Sequence, residues 1–366
     1  MKKRILILNW WDIKNPKAGG AEVYLTEIFS RLAKRYEITL FCCRFFGGRR
    51  QEYFKGIKII REGRPWLINF KVFFWYFKKR NEFDLIIDFT NKIPFLTPLF
   101  VKKPHLAVAL DIFGKIIVKE WGYFGYIPLV IERFLFFLYK KSQFIALSES
   151  TKRELMDIGI SSNHIAIVYP GVNSDLGPKI PKSSTPLLIY VGRLMRYKRV
   201  DYIIKALSDI VKLIPGIRLI IIGRGGERLR LQELSKKFKV DSQISFLGFV
   251  KEKEKNYWLE KSWLNIQPST KEGWGLTVIE AGRRGTPTIA SNVPGLSESV
   301  KDKKTGWLFE ENDLEYFKIL LVDILTHPRK INLAGQKALN FSRKFSWDKA
   351  ARNTEKIIEN IFKRRG

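Results

Sequence analysis

Two doubly wound α/β domains in tandem are what the sequence predicts, on three observations. The chain has 366 residues, more than one ordinary hydrophobic core serves. Short apolar runs with strand character alternate with helical stretches along most of its length. The alternation breaks once, over 171–186 (GVNSDLGPKIPKSSTP), where Gly, Pro and Ser mark a linker. A hydrophobic fraction of 45% is enough for two packed units and argues against disorder.

Residues 4–10 (RILILNW) read as the first strand, and a loop ending in Ala18, Gly19, Gly20, Ala21 and Glu22 leads into a helix. Leu25, Ile28, Phe29 and Leu32 recur in it at helical spacing. Strands follow at 37–42, 85–89, 106–110, 144–147 and 165–169, with helices between them; 127–141 (IPLVIERFLFFLYKK) has the composition of a core helix. Beyond the linker, strands at 187–191, 217–222, 244–246, 263–267 and 287–290 alternate with helices from Val200, near 228–237, over 255–262 and after Gly275. Residues 347–362 read as an amphipathic helix. Each half should be a parallel sheet covered on both faces, and ligands in such sheets bind beyond the carboxyl ends of the strands.

The net charge of +30 is spread over both halves, so it is not a basic tail. Polyanionic neighbours explain it (nucleic acid, acidic polysaccharide or an anionic membrane surface), and so does a lysine-rich solvated surface. The stretch 44–64 carries Arg44, Arg49, Arg50, Lys55, Lys58, Arg61 and Arg64. Next, 66–80 (WLINFKVFFWYFKKR) mixes aromatic rings with Lys71, Lys78, Lys79 and Arg80. Rings beside cations suit a membrane interface, although a buried helix with a basic end has the same composition. No apolar run reaches the ~18–20 residues of a spanning helix. Adjacent Cys42 and Cys43 should point to opposite faces of a strand and form no disulfide with each other. Low cysteine use and the lack of a signal-peptide pattern lead us to expect a cytoplasmic chain, at most peripheral on the inner face of a membrane. A nucleic-acid-binding protein is the rival from another class, disfavoured by the dispersed charge and the lack of a recognised binding module.

The stretch 267–285 (QPSTKEGWGLTVIEAGRRG) reads as a strand end, a loop with Glu272, Gly273 and Gly275, and a helix carrying Glu280. A helix start offers N–H groups and a positive dipole end to phosphate, and carboxylates accept hydrogen bonds from a diol. A ligand needing both is a sugar joined to a phosphate. Arg193 and Lys198, in YVGRLMRYKRV after a strand, can hold a diphosphate without a metal. There is no Asp-x-Asp pair and no cluster of His or Cys ligands, so neither metal nor other cofactor is expected. Gly19 and Gly20 let backbone approach a ligand, or simply form a tight turn. Gly223-Arg224-Gly225-Gly226 invites a dinucleotide reading, as in an oxidoreductase, but Arg228 stands where the fingerprint's third glycine belongs.

The segments NWWDIKNPKAGGAEVYLTEI and YVGRLMRYKRVDYIIKAL, and the Glu272–Glu280 spacing with TPTIASNVPGLSESV behind it, resemble glycosyltransferase family 4, retaining enzymes of the GT-B fold. The resemblance covers nearly the whole chain, and the two-glutamate motif is its most specific part. It implies two Rossmann-like domains facing across a cleft. Residues 1–172 would bind the acceptor and 173–345 the nucleotide-sugar donor, and 346–366 would cross back onto the first domain as a helix. By the same resemblance Arg193 and Lys198 bind the donor diphosphate, and with Glu272 they form the catalytic set. Glu272 meets the sugar hydroxyls, with the backbone of Gly273, Trp274, Gly275, Leu276 and Thr277 around sugar and phosphate. Glu280 takes the ribose, Phe249 and Val250 the nucleobase, and Gly19 and Gly20 face donor phosphate and acceptor. One departure stands out. Many relatives carry a histidine beside the sugar, whereas the matching 108–114 (VALDIFG) has none, and Asp111 is its nearest polar residue. His105, earlier in that strand, reads as structural. The implied activity is metal-independent sugar transfer, with retention, from a nucleotide-sugar to a glycan or lipid-linked acceptor, in cell-surface polysaccharide or glycolipid assembly. No enzymic nucleophile is assigned, and the leaving phosphate takes the acceptor's proton. A sugar phosphorylase on the same fold is the alternative, although no lysine here has a motif specific for pyridoxal phosphate.

Overall fold

The computed structural model describes residues 2–90, 93–112, 114, 116–173 and 180–364. Residues 174–179 of the expected linker, and Phe113 of the 108–114 stretch, lie outside the described residues. The chain forms two compact units, the first made of Met1–Gly171 with Trp347–Gly366 and the second of Val172–Ser346.

Unit 1 runs β1 (Arg4–Leu8), α1 (Gly20–Leu32), β2 (Glu37–Cys42), β3 (Gln51–Phe54), β4 (Ile57–Arg61), α2 (Ile68–Lys79), β5 (Leu85–Phe89), β6 (His105–Ala109), α3 (Ile116–Trp121), α4 (Tyr126–Phe137), β7 (Gln143–Ala146), α5 (Glu149–Asp157) and β8 (Ile165–Ile167). Its strands form one sheet in the order β3-β4-β2-β1-β5-β6-β7-β8. The central strands RILIL and LIIDF are buried on both faces, which is why they read as unbroken apolar runs. All neighbours pair parallel except β3 with β4. That antiparallel edge hairpin turns at Lys55 and Gly56, whose φ values of 50° and 82° are those of a two-residue I′ turn.

Unit 2 runs β9 (Leu187–Val191), α6 (Val200–Leu213), β10 (Arg218–Ile222), α7 (Arg228–Lys237), β11 (Ile244–Gly248), α8 (Glu252–Lys261), β12 (Leu264–Gln267), α9 (Leu276–Arg283), β13 (Thr288–Ser291), α10 (Leu296–Ser299), β14 (Gly306–Phe309), α11 (Leu314–Leu325) and α12 (Pro328–Ser342). Its six strands are ordered β11-β10-β9-β12-β13-β14, all parallel. Helix α6 shows how the core is closed. Val200, Ile203, Ile204, Leu207 and Ile210 recur every three or four residues and are all buried against β9, β10 and β12. The last helix, α13 (Trp347–Lys363), belongs to unit 1 and packs on α1. Trp347 lies edge-on to Tyr24 at 6.2 Å, and Arg31 donates to Asp348 at 2.7 Å.

Three local expectations need correction. The basic stretch 44–64 contains the β3–β4 hairpin, and its Arg61 is fully buried rather than a surface cation. Segment 127–141 is not a core helix, because α4 turns Ile127, Val130, Ile131, Phe134 and Phe137 to solvent. In 66–80, likewise, α2 buries only Ile68, Val72 and Tyr76. Beyond the expected elements, unit 2 also contains β14, α11 and α12. No helix among the described residues is long and apolar enough to cross a membrane.

Candidate functional site

In unit 2, β9 and β12 are neighbours in a parallel sheet, so the loops leaving their carboxyl ends run side by side. Two hydrogen bonds tie the pair together. Gln267 donates from Nε2 to the Val191 carbonyl at 3.1 Å, and the Thr270 N–H donates to the Tyr197 carbonyl at 2.8 Å. The bracing brings Lys198, from the first loop, onto Glu272, from the second. The buried ammonium donates to Glu272 Oε1, which also accepts from Ser269 Oγ at 3.0 Å. Burial works to lower the Lys198 pKa, but the adjacent Glu272 charge and hydrogen bond outweigh it and hold the pKa above the ordinary lysine value. Lys198 is therefore a cation at neutral pH in a place that would otherwise reject one. Arg193 is exposed in the same loop, its Nη2 donating to Tyr197 Oη at 2.8 Å.

Helix α9 starts beside this pair. Its cap is Gly275, left-handed at φ 82°, with no side-chain cap on the first turn. A methyl group there would also meet Leu296 at 2.8 Å. Gly295, at the start of α10, lies so close that a methyl would come within 2.2 Å of the Glu272 carbonyl oxygen. The loop from Glu272 to Gly275 is thus seated on α10, and Gly295 is a positioning residue that sequence reasoning did not single out. Trp274 turns its indole inward, edge-on to Phe345 at 5.1 Å, so only its backbone remains for a ligand. Leu276 and Thr277 begin the helix.

Glu280 lies one turn into α9 rather than at its start, and has a different partner from Glu272. Its Oε1 accepts from Lys255 Nζ of α8 at 2.8 Å, and Lys255 also reaches Glu252 at 3.0 Å. Burial opposes the Lys255 charge, but the two carboxylates overcome it and raise the lysine pKa. Nothing in the sequence pattern pointed to Lys255. Phe249, just past β11, is 70% exposed with the Arg224 guanidinium 5.3 Å over its ring, while Val250 packs into an apolar cluster with Ile222 and Leu259. The Gly223–Gly226 turn has a use inside the chain itself. A methyl on Gly223 would lie 1.8 Å from the Gly192 carbonyl, and one on Gly225 would lie 2.0 Å from the Leu194 carbonyl. These glycines let the turn brace the loop that carries Arg193 and Lys198, which accounts for them without a dinucleotide.

In unit 1 the start of α1 is built differently. Glu22 reaches back to accept from the Gly19 N–H at 2.7 Å, and Asn9 Nδ2 donates to its other oxygen at 3.1 Å. Gly19 is extended, and among the described residues a methyl on Gly20 would meet no atom within 4 Å. The chain's own packing demands neither glycine. The loop ahead of them is locked by Arg61, which donates from Nε and Nη2 to the two Asp12 oxygens at 2.6 and 2.8 Å and also pairs with Glu52. Asp12 and Arg61 are 49 positions apart in the chain, with no pattern to connect them. Asp111 is partly buried just beyond β6, two residues after its last strand position. His105 shares a hydrogen bond with Ser142 Oγ at 2.8 Å, a structural contact as expected of a strand histidine.

Two family models match the chain in tandem. "Glycosyltransferase Family 4" covers residues 18–176, and "Glycosyl transferases group 1" covers 176–341. Among curated relatives, an uncharacterized glycosyltransferase of Haemophilus influenzae is 29% identical over 218 residues, 59% of this chain and 58% of the relative. D-inositol 3-phosphate glycosyltransferase of Streptomyces coelicolor is 26% identical over 225 residues, 53% of this chain and 49% of the relative. The chain thus matches about half the length of these relatives. Among solved structures, sucrose-phosphate synthase of Thermosynechococcus elongatus superposes with a TM-score of 0.83 at 18% identity, covering 99% of both chains. Anabaena Alr3699/HepE in complex with UDP and glucose gives 0.77 at 17% identity, covering 98% of this chain and 100% of the other. At such identity the likeness speaks to the fold. With both models matched over 18–341 and both Rossmann-like units in place, the chain belongs to glycosyltransferase family 4, of the GT-B type.

Proposed function

We propose that this protein transfers a sugar from a nucleotide-sugar donor to a glycan or lipid-linked acceptor, with retention of anomeric configuration and without a metal. The observation that carries the reading is the buried Lys198–Glu272 pair, set directly ahead of a helix start that no side chain caps. A cation held charged inside the fold suits a diphosphate, and the helix start suits its oxygens. Arg193 adds a second cation, with a planar fork. Glu272 has an oxygen besides the one Lys198 and Ser269 use, fit to accept from the sugar hydroxyls. The backbone of Gly273, Trp274, Gly275, Leu276 and Thr277 surrounds sugar and phosphate, Glu280 accepts from the ribose, and the exposed Phe249 ring, with Val250 beside it, takes the base. In unit 1 the open start of α1 at Gly19 and Gly20 is assigned to phosphate and acceptor contact. Asp111 is assigned a place near the sugar, where relatives carry histidine.

In the reaction, the bond from the anomeric carbon to the donor phosphate breaks as the bond to the acceptor oxygen forms on the same face. The acceptor's proton passes to the departing phosphate. Lys198, Arg193 and the α9 dipole stabilise the charge that develops there, an electrostatic contribution prepared before the reaction begins. Glu272 and Glu280 hold the donor in reacting geometry. The work belongs to the cytoplasm, in the assembly of cell-surface polysaccharide or glycolipid.

A thermal-shift panel of UDP-, GDP- and ADP-sugars tests this. A donor at 100 times its dissociation constant stabilises the fold by about 2.7 kcal/mol. We expect one nucleotide class to raise the melting temperature of the parent but not of Glu280→Ala. Near-parental transfer by both Glu280→Ala and Lys198→Ala on an authentic donor would overturn the assignment.

A further inference from the structure

We propose that α2 and α4 together form a face of unit 1 that docks on an anionic lipid surface. Both helices are apolar on the side that faces away from the sheet. Along α2 and the turn before it, Trp66, Leu67, Phe70, Phe73, Phe74 and Phe77 are exposed; along α4, Tyr126, Ile127, Val130, Ile131, Phe134 and Phe137 are. Each set steps by one, three or four residues, the spacing of a single helical stripe. The inward sides are also apolar, with Val72 and Tyr76 on α2 and Phe136 on α4 packed into the core. A helix apolar all round needs a second apolar neighbour besides the sheet. Helix α13 shows the ordinary alternative, with Trp347, Ala350, Ala351 and Ile358 buried and Lys349, Arg352 and Lys356 outward.

The two stripes share one side of the unit. Parallel pairing aligns Ile86 with His105 and Asp88 with Ala107, so Ile86 and Ala107 point to the same face of the sheet. Helix α2 packs with Ile86, and α4 with Ala107. Both therefore cover that face, and their outer stripes look out from the same side. Single exposed apolar residues such as Leu213, Leu229 and Ile319 also occur elsewhere, but here they are grouped in two stripes on one side of the unit, which scattered surface residues are not.

Charge selects the occupant. Helix α2 contains no acidic residue, and the one on α4, Glu132, is buried and accepts from the Gly114 N–H at 2.7 Å. Most exposed charges in and next to the two helices are cationic, among them Lys71, Lys78 and Arg80 by α2 and Arg133, Lys140 and Lys141 by α4, while the exposed Glu82 after α2 is paired with Lys79 at 2.7 Å. Arg80 lies 5.9 Å over the Phe77 ring and Lys140 5.7 Å over the Phe137 ring, cations beside the ends of the apolar stripes. Rings and aliphatic chains entering the acyl boundary while cations meet phosphate headgroups is the chemistry of an interfacial helix. A protein partner would have to match both a broad apolar face and a cationic border, whereas an anionic bilayer presents both everywhere. The surface stands independently of sugar transfer, since docking needs neither donor nor acceptor.

Co-sedimentation of the full chain with vesicles tests it, using equimolar phosphatidylglycerol and phosphatidylcholine against phosphatidylcholine alone. The parent should partition onto the anionic vesicles at low salt, less so at ~1 M salt, where charge is screened. Phe74→Glu and Ile131→Glu alter exposed positions, so their melting temperatures should match the parent while partitioning falls by about tenfold or more. Bromolipid quenching of the parent, lost in Trp66→Phe, would place that ring at the acyl boundary. No binding to anionic vesicles at low salt overturns the proposal, as does unchanged binding by both Glu variants. A lipid-free dimer that Ile131→Glu returns to monomer, with no vesicle binding by the parent, would assign the face to a second copy of the chain.

Discussion

The two glycine-bearing helix starts, α1 in unit 1 and α9 in unit 2, look alike in sequence and differ in what their glycines are for. At α9 the chain itself requires glycine, because Gly275 is left-handed at φ 82°, and the loop before it rests on Gly295 of the α10 start, which passes under the Glu272 carbonyl. At α1 the Gly19 N–H is met by Glu22, and Gly20 has open space around it. One start is held rigid by the fold, with an ion pair at its entrance. The other is capped by a carboxylate and leaves room that none of the described residues fills. A glycine in a loop thus records either a backbone constraint or an absence of bulk, and only the surroundings tell which.

The largest expected effect falls on the ion pair in front of α9. Lys198→Met leaves the Glu272 carboxylate without its cation, and steady-state kinetics should show transfer reduced by about 10²–10³-fold in kcat/KM, the scale of losing one preorganised charge contact. A change below threefold would show the pair to be structural only. The pH dependence has a definite sign. Because the folded Lys198 pKa is raised, the pair's stabilisation is complete at neutral pH and is lost only as pH rises through that value, above the ordinary 10.5. The stability gap between parent and Lys198→Met, from urea titrations, should therefore be level between about pH 7 and pH 9.

Next comes Gly275→Ala. It combines a left-handed backbone with a methyl 2.8 Å from Leu296, and should cost about 1–3 kcal/mol in chemical denaturation. Gly20→Ala is the counterpart that breaks or sharpens the comparison. Its melting temperature should stay at or slightly above the parent's, since alanine favours a helix start over glycine by under about 1 kcal/mol. Transfer should nevertheless fall, because the methyl fills the open space assigned to a ligand. Equal losses of stability at both sites would end the distinction. A modest loss of stability is expected of Glu22→Gln, which weakens the reach back to Gly19, by about 1 kcal/mol in the same denaturation experiment.

Reading the sequence worked where one local rule decided the outcome. The strand runs 4–10 and 187–191, the helix from Val200 and the loop-to-helix step around Gly275 all fell in place, because periodicity and turn chemistry are short-range properties. The β3–β4 hairpin has no clear signal in the basic stretch 44–64, whose alternation is masked by the charged residues Lys55, Lys58 and Arg61. Segment 127–141 departs from expectation for a different reason. A helix apolar on every side has no pattern that says whether a second layer of protein covers it, and here none of the described residues does so over its outer stripe.

What the sequence determined by itself was the two alternating α/β halves, the family, and the residue types able to hold a sugar and a diphosphate. Only the tertiary structure decided the partners: Lys198 on Glu272, Lys255 on Glu280, Arg61 on Asp12, and Gly295 beneath the site loop. Partners 23 to 74 positions apart are chosen by strand order and loop packing, and a linear pattern does not encode distances that only the closed sheet creates.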